Sequence, residues 1–445
     1  MHTDRRRQSA RLQKKWIETT ARSMRIAIIS PEYPPYLVGG LGTHVHQLAR
    51  SLARLGCQVH VFAASPDRNE ETKDGDVSVV YVRAFGESHR APYELTLAEI
   101  ESLSVSIGER ALDIYRQTGS PPALVHIHDW PGIHAAKILR REWRVPLIMT
   151  LHALHAEFMR KFSTHPATER VVSLERMACC EVDSLIAVSA SLAADVCREY
   201  SLPRSKVKVI FNGLDASVFR RTDNFMEAEV EQARAELLHD GERAILYAGR
   251  LAPQKGLTGL MRSAIHVVRA QPLTRYLIAG QLTNDPYVQM LIARVENHPV
   301  LREQVTFCGH VARQKLAVLF RLASLVVVPS LYEPFGYAAT EPMAVGLPVI
   351  ATRTGGLAEI IEDEISGLLV PLHRDTRAAI PDIDVEALVE AQVRVLGDKH
   401  LAQRLGTNAR LRFDANFSIE RMISSTLALY EGMVNSRSSI PMIAH

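Results

Sequence analysis

Short apolar runs alternate with amphipathic stretches along most of the chain. The first run, residues 25–30, is followed by a loop rich in proline and glycine. Behind this loop, apolar residues recur at helical spacing, so a helix is expected to begin near Thr43, a residue type that caps helices well. Gly56 ends this helix, and the next strand is predicted directly after it, at residues 59–63.

The same alternation continues through two series of predicted strands, and most strands are separated by helical stretches. A polar, acidic helix near residues 225–238 divides the two series. Strands that are apolar along their whole length are typical of parallel sheets covered by helices on both faces. The first series adds strands at 79–82, 124–128, 147–151, 185–188 and 207–210, and the second has strands at 244–248, 276–279, 305–307, 325–328, 348–351 and 367–370.

The pattern therefore predicts an α/β protein with two doubly wound, Rossmann-like domains in tandem. A length of 445 residues is about three times that of a typical domain, which agrees with two domains. We assign residues 24–215 to the first domain and residues 216–417 to the second. The basic segment 1–23 is interpreted as a disordered tail outside the fold, and residues 418–437 as a final amphipathic helix.

Composition narrows the functional classes. Hydrophobic residues make up 47% and charged residues 23% of the chain, as in ordinary soluble proteins, and no apolar run reaches the ~18 residues of a membrane-spanning helix. A net charge of +3 is too small to indicate a nucleic-acid partner. Five scattered cysteines argue against a disulfide framework and favour a cytoplasmic location. The basic tail is the segment for which weak contact with a membrane surface stays open.

The most informative segment follows the buried strand at 325–328. A loop with Gly336 leads from this strand into a helix, and the unpaired backbone N–H groups of such a helix start bind anions. Glu333 and Glu341 stand on either side of the glycine, and a carboxylate can accept two neighbouring hydroxyl groups. This layout suits a phosphate flanked by two sugars. The alternative is that both glutamates only stabilise the helix start electrostatically.

A second loop carries fixed positive charge. Arg250 and Lys255 follow the strand at 244–248, and two cations in such a loop can hold a diphosphate leaving group and neutralise its charge as a bond breaks. The alternative is that both are solvated surface charges. In the first domain, the loop Gly39-Gly40-Leu41 precedes a helix and is expected to approach the same diphosphate across a cleft between the strand ends.

Together these segments resemble retaining nucleotide-sugar glycosyltransferases of the GT-B fold, in particular glycosyltransferase family 4 and the glycogen and starch synthases. The resemblance covers nearly all of residues 25–435 in the family's order. It implies two Rossmann-like domains that face a cleft, with the final helix crossing back to the first domain. The two glutamates and the Arg/Lys loop are its most specific part. The other matching segments are His128-Asp129-Trp130, Thr150-Leu151-His152, Val188-Ser189, Asn212-Gly213-Leu214-Asp215, Gly309-His310-Val311 and Gly355-Gly356.

The resemblance also implies roles for residues of the second domain. Arg250 and Lys255 would bind the diphosphate of the donor, and Glu341 would bind its ribose hydroxyls. Glu333 would hold hydroxyls of the donor sugar. Backbone groups would complete the donor site, around the sugar at Phe335, Gly336 and Tyr337 and around the nucleobase at His310 and Val311.

In the first domain, the resemblance implies that His152 lies against the donor sugar and that Asp129 faces the acceptor. It also implies that the anomeric configuration is kept, with the departing phosphate oxygen taking the proton of the incoming hydroxyl. The residues agree with this mechanism, because they include groups that stabilise charge but no obvious nucleophile. The implied partners are a nucleotide-sugar donor, with glucosyl as the expected group, and a sugar, polyol or glucan acceptor. Neither a cofactor nor an essential metal is expected.

One position departs from the family pattern. Glycogen and starch synthases usually carry a lysine two residues before the paired glycines, and this chain has Leu37 there. The departure puts a polymer synthase in doubt, whereas relatives with small acceptors manage without the lysine.

Four alternatives are weighed against this function. A nicotinamide dehydrogenase would need a tight G-x-G-x-x-G turn right after the first strand, and a longer loop stands there instead. A metal-dependent transferase could use Asp382 and Asp384, although helix capping explains these carboxylates better. Zinc could bind at His126, His128 and Asp129, but no fourth ligand is evident. A non-catalytic sugar-nucleotide-binding protein remains open, and acceptor-dependent release of the nucleotide distinguishes it from an enzyme.

Overall fold

The computed structural model describes residues 24–37, 39–83, 95–162, 168–220, 223–373 and 380–438. Contacts divide these residues into two units, with divisions between Gly213 and Leu214 and between Ser418 and Ile419. The described residues 160–162 are grouped with the second unit. The predicted tail at 1–23 lies outside the described residues. Within the described part of the chain, no helix is both long enough and apolar enough to cross a membrane.

The first unit is built on an eight-stranded sheet. Its strands are β1 (Arg25–Ser30), β2 (Gln58–Ser65), β3 (Glu70–Asp74), β4 (Val77–Arg83), β5 (Leu124–His128), β6 (Leu147–Leu151), β7 (Ser184–Ala187) and β8 (Val207–Val209). They lie in the order β3-β4-β2-β1-β5-β6-β7-β8, and only β3 and β4 pair antiparallel. The strand order reverses between β1 and β5, and ligands of such sheets bind outside the carboxyl ends at this switch point.

Strand β3 is not predicted by the hydrophobic pattern. Its sequence is charged and largely exposed, and it pairs with β4 at the edge of the sheet. Charged residues on an edge strand keep it from pairing with other chains, so they carry no apolar signal. The predicted strands of this unit are confirmed with ends shifted by at most two residues. Most of them are buried on both faces, whereas the edge strand β8 is buried only at Val207.

The helices of this part of the chain are α1 (Gly40–Arg54), α2 (Leu97–Thr118), α3 (Ile133–Trp143), α4 (His155–Phe162), α5 (Thr168–Glu181) and α6 (Ala190–Tyr200). Helix α1 begins at Gly40, so the predicted start near Thr43 is wrong. The earlier start follows from Glu32, whose Oε2 atom accepts hydrogen bonds from the backbone N–H groups of Gly39 (3.1 Å) and Gly42 (3.2 Å). This carboxylate satisfies donors at the helix start that would otherwise need a cap residue.

The second unit contains a six-stranded parallel sheet. Its strands are β9 (Arg243–Ala248), β10 (Thr274–Ala279), β11 (Val305–Gly309), β12 (Ala323–Val328), β13 (Val349–Thr352) and β14 (Leu368–Val370). They lie in the order β11-β10-β9-β12-β13-β14, so the switch point of this sheet is between β9 and β12. A separate antiparallel pair consists of β15 (Leu372–His373) and β16 (Asp382–Ile383).

The helices of the second unit are α7 (Asn224–Leu237), α8 (Leu257–Ala270), α9 (Pro286–Glu296), α10 (Pro299–Gln304), α11 (Arg313–Leu322), α12 (Tyr337–Ala344), α13 (Leu357–Ile360), α14 (Val385–Gly397) and α15 (Lys399–Asn416). Helix α8, for example, packs Leu260 and Val267 against buried strand residues such as Ile245. The predicted fold class is confirmed, because both units are α/β structures built on mainly parallel sheets.

The final helix, α16 (Ile419–Ser438), packs with the first unit. Its Tyr430 is fully buried, and the hydroxyl lies 2.5 Å from Nδ1 of His126 on β5. The Met422 sulfur accepts a hydrogen bond from the backbone N–H of Gly213. Buried apolar side chains such as Leu427 join the same core as β1 and β2. The chain thus enters the first unit again after the second unit is complete.

Candidate active site

The loop after β9 reaches the loop after β12 because of a glycine. Gly256 has a φ of +68°, and a Cβ atom there would lie 1.9 Å from the carbonyl oxygen of Pro329. The backbone N–H of Leu331 also donates to the carbonyl oxygen of Gln254 (2.8 Å). Only glycine permits both the positive φ and this close approach. The two loops are therefore fixed side by side at the switch point of the second sheet.

Lys255 and Glu333 are brought together at this point. The Lys255 Nζ atom donates to Glu333 Oε2 at 2.7 Å, and Ser330 Oγ donates to the same oxygen at 3.1 Å. The two charged side chains are only 18% and 12% exposed. A pair this sheltered from water interacts more strongly than a surface ion pair. Two residues that the sequence places 78 positions apart thus form one charged group.

Arg250 lies in the same loop as Lys255 but outside this pair. Its side chain is exposed to solvent, and its carbonyl oxygen accepts a hydrogen bond from the Tyr247 hydroxyl (2.6 Å). Of the two predicted cations, Arg250 is therefore exposed to solvent, whereas Lys255 is paired with Glu333.

The paired glycines 355 and 356 hold the Glu333 loop in place. A Cβ atom on Gly355 would lie 2.2 Å from the carbonyl oxygen of Glu333, and one on Gly356 would lie 2.4 Å from that of Phe335. The backbone N–H of Gly356 donates to the Glu333 carbonyl oxygen at 2.8 Å. This backbone-to-backbone packing explains why two successive glycines are needed here.

Helix α12 begins immediately after this loop. Gly336 precedes it with a φ of +130°, and Phe335 is buried beneath. Glu341 lies on the helix, and its Oε1 atom accepts a hydrogen bond from Nη2 of Arg313 at 3.1 Å. Burial raises the pKa of Glu341, and the Arg313 charge opposes this rise. Arg313 is not among the site residues predicted from the sequence. Its position shortly after β11, at the carboxyl edge of the sheet, is a signal that could have indicated it.

His310 and Val311 lie between β11 and α11, also at the carboxyl edge of the sheet. His310 is exposed and Val311 is partly exposed. Gly309, directly before them, has a φ of +67°, which turns the chain out of the strand. The structure thus puts these residues at the same edge as the Arg313–Glu341 pair.

Three histidines meet at the switch point of the first unit. The Nδ1 atom of His128 lies 3.0 Å from Nε2 of His152, and the His44 ring lies 4.8 Å from the His152 ring, centre to centre. Burial lowers the pKa of all three imidazoles, to about 4 for His44, so all are neutral near pH 7. Asn212 lies close to His44. Neither ring nitrogen of His44, nor Nε2 of His128, has a hydrogen-bond partner of normal geometry among the described residues.

These three histidines are also the group that could hold a metal ion in the described part of the chain, since one nitrogen of each lies within 4.8 Å of the others. The set weighed from the sequence, His126 with His128 and Asp129, is not assembled. His126 is instead packed in the core, with Nδ1 at the Tyr430 hydroxyl and Nε2 2.8 Å from the Thr150 hydroxyl.

Asp129 lies beside His152 in an unusual conformation. Its φ is +58°, which is rare for a residue with a Cβ atom and is found where neighbouring structure imposes it. Its carboxylate accepts a hydrogen bond from the backbone N–H of His152 at 2.7 Å. Burial raises the pKa of Asp129 to about 7. The group therefore changes charge near neutral pH.

The acidic alternative at 382–384 is resolved into two structural roles. Asp384 caps α14, since its side chain accepts from the backbone N–H of Ala387 at 3.0 Å, so the predicted capping role is confirmed. For Asp382 capping is wrong, because this residue lies in β16 and pairs with Arg262 at 2.7 Å.

Comparison with known proteins gives the family. The family model for Glycosyltransferase Family 4 matches residues 38–218, and that for Glycosyl transferases group 1 matches residues 229–412. The chain is 30% identical to an uncharacterised glycosyltransferase of Methanocaldococcus jannaschii over 410 residues, which cover 92% of this chain and 98% of the relative. It is 29% identical to the glycogen synthase of Mycobacterium tuberculosis over 436 residues, with 95% and 99% covered.

Among solved structures, the sucrose-phosphate synthase of Thermosynechococcus elongatus is similar with a TM-score of 0.77 and 26% identity, and the match covers 93% of this chain and 100% of that chain. The motifs described above fall inside the matched ranges, with His152 in the first and Lys255 and Glu333 in the second. The chain is therefore a member of glycosyltransferase family 4 and has the GT-B fold.

Proposed function

We propose that this protein transfers a hexosyl unit, specifically a glucosyl group, from a nucleoside-diphosphate sugar to a hydroxyl acceptor with retention of the anomeric configuration. The observation that carries the proposal is the contact of Lys255 with Glu333 at the switch point of the second sheet. At this position the cation can bind the diphosphate that leaves, and the carboxylate can bind the sugar that is transferred.

The donor is held by the second unit in this proposal. Lys255 turns from Glu333 to the diphosphate when the donor binds, and the exposed Arg250 adds a second cation. The freed Glu333 carboxylate accepts hydroxyl groups of the sugar, together with the backbone N–H groups of Phe335, Gly336 and Tyr337. Glu341 accepts the ribose hydroxyls, and the backbone around His310 and Val311 lies against the base. The Arg313 pairing supports this role, because it opposes the effect of burial and favours a charged Glu341.

The first unit supplies His152 and Asp129 in this mechanism. Because burial lowers the pKa of His152, the neutral ring offers a hydrogen bond to a sugar hydroxyl and does not act as an acid. The bond from the anomeric carbon to the diphosphate breaks, and the bond to the acceptor oxygen forms on the same face. The acceptor proton passes to the departing phosphate oxygen, so no protein nucleophile is required. Asp129 orients the acceptor hydroxyl.

We further propose that no metal or cofactor takes part, because Lys255 and Arg250 neutralise the charge that a divalent cation would otherwise offset. The protein is assigned to the cytoplasm. The five cysteines, all of them described, are free thiols, which agrees with a reducing compartment.

The acceptor is a sugar, a polyol or a glucan in this proposal. Two relatives are named for glucose-containing products, glycogen and sucrose phosphate, and this supports a glucosyl donor. Leu37 stands where polymer synthases usually carry lysine, which favours a small acceptor.

The proposal is tested with UDP-, ADP- and GDP-glucose, each with and without a mixture of acceptors. One donor should raise the melting temperature by mass action and release its nucleoside diphosphate faster when an acceptor is present. Lys255→Ala should abolish both effects, whereas Lys315→Ala, at an exposed position on α11, should keep them. Donor binding without acceptor-dependent release would indicate the non-catalytic binding protein instead.

A further inference from the structure

The first unit contains a cavity of about 880 Å³ at the carboxyl ends of β1, β2 and β5. It lies next to Asp129, and its size falls within the range of pockets that enclose whole small ligands, roughly 300–1,000 Å³. A single hexose fills only part of such a space. The rest of the cavity volume can hold a further part of a larger ligand.

The wall of the cavity is mainly apolar. Helix α2 runs along one side, and Phe158 and Met159 from α4 lie on another. The residues that α2 contributes are Leu97, Ala98, Ile100, Leu103, Ser104 and Ile107. Sugar hydroxyls placed against this surface would lose hydrogen bonds to water and gain none. An alkyl or aryl group, by contrast, gains free energy from every part of the apolar area that it covers.

Two neighbouring titratable side chains, Asp129 and His155, line the cavity. His155 is held by the buried Glu175, with Nδ1 3.1 Å from Oε1. Burial by itself would lower the pKa of His155, but Glu175 raises it to about 9. This imidazolium is therefore neutralised by its own partner. The Tyr200 hydroxyl (2.5 Å) and the backbone N–H of Ala156 (3.1 Å) donate to the other Glu175 oxygen.

Charge in the cavity does not favour an anionic acceptor. Among the described lining residues there is no lysine or arginine, and Glu32 and Asp129 both bring carboxyl groups. A phosphate placed there would meet like charge and one histidine that is already paired. Phosphate sites in proteins rely instead on arginine, lysine or free helix N–H groups. At the start of α1 the N–H groups of Gly39 and Gly42 already donate to Glu32.

We infer that the acceptor is an uncharged molecule with an apolar alkyl or aryl group, whose reacting hydroxyl lies at Asp129 and whose apolar group lies along α2 and α4. This inference rests on the proposed function, because it takes the cavity beside Asp129 as the acceptor site. A mainly apolar lining that includes a few polar groups, such as Asp129 and His155, is the arrangement that orients such a ligand.

Binding can be measured without any transfer, because Trp130 lines the cavity and its fluorescence reports a ligand there. The probes are octyl β-D-glucopyranoside below its micelle concentration, glucose and glucose 6-phosphate. We expect octyl glucoside to bind about tenfold or more tightly than glucose, because burial of methylene groups adds to its affinity. Glucose 6-phosphate should bind no better than glucose.

Two substitutions on α2 provide a matched pair. Ile100→Lys puts a charge into the cavity wall and should remove the preference for octyl glucoside. Val105→Lys, on the same helix at an exposed position outside the lining, should leave the preference intact. Ala98→Trp, at an exposed lining position that tolerates a large side chain, should lower the affinity for octyl glucoside in a folded protein. Equal affinity for octyl glucoside and glucose, or tightest binding of glucose 6-phosphate, overturns the inference.

Transfer assays with the same three acceptors separate this inference from the proposed function. Transfer to octyl glucoside in preference to glucose and glucose 6-phosphate supports both the acceptor class and the proposed function. Transfer to glucose 6-phosphate in preference to octyl glucoside contradicts the acceptor class alone. Tight binding of octyl glucoside without transfer from any nucleotide sugar contradicts the proposed function, and the acceptor role of the cavity with it.

Discussion

Replacing the two glutamates one at a time separates the sugar side of the donor from its nucleotide side. In our account Glu341 binds the ribose in ground state and transition state alike, so Glu341→Gln should raise KM for the donor and leave kcat nearly unchanged. Glu333 faces the reacting sugar, so Glu333→Gln should lower kcat. Each change removes one charge-assisted hydrogen bond, which contributes about 1.5–3 kcal/mol, so each effect should be about 10- to 150-fold.

The structure indicates that neither effect should come from unfolding. In Glu333→Gln the new side-chain amide retains an oxygen that can accept from Lys255 and Ser330. At position 341, glutamine removes a carboxyl whose pKa is raised by burial, and the Arg313 side chain that it leaves is 37% exposed and can be solvated. Melting temperatures should therefore stay close to that of the unaltered protein. Initial rates over a range of donor concentrations provide the assay. Kinetics within about twofold of the unaltered enzyme for both variants would refute the assignment of the donor site.

Three further outcomes are expected. Activity should survive EDTA, and complete loss that manganese restores would contradict the metal-free mechanism. Asp384→Ala should destabilise the fold by about 1 kcal/mol through loss of the α14 cap, with kcat/KM unchanged. Stability should fall below about pH 6.5, because burial lowers the folded-state pKa of His44 to about 4 and of His126 to about 3, while the unfolded chain takes up protons. Each such histidine lowers the free energy of unfolding by up to about 1.4 kcal/mol for each pH unit below about pH 6.5. Urea titrations at several pH values should therefore show a weaker dependence of the unfolding free energy on pH in His126→Gln.

Most strands were predictable because their side chains are largely buried on both faces. In β12, for example, residues 325–328 form an unbroken apolar run, which few other structures produce. The exposed strand β3 and the short pair β15 and β16 carry no such signal. Helix α1 shows a different limit. Its start depends on the Glu32 carboxylate, and a contact across a loop is not visible in the hydrophobic pattern.

Lys255 and Glu333 could be found from the sequence because each stands in a loop that follows a strand. Lys255 and Glu333 follow β9 and β12, and parallel strands that flank a switch point bring such loops together. The side-chain partner of each residue could not be predicted in this way. The Lys255–Glu333 contact, the pairing of Arg313 with Glu341 and the cluster of His44 with His128 and His152 all depend on side-chain positions in three dimensions.

The configuration of the product distinguishes retention from inversion. The enzyme is incubated with an α-linked nucleoside-diphosphate glucose and an acceptor that it uses, and the new linkage is observed by proton NMR as it forms. We predict an α-linkage from the first turnover, together with one nucleoside diphosphate released for each bond formed. A β-linkage, or no acceptor-dependent release from any of the three nucleotide sugars, would contradict this prediction.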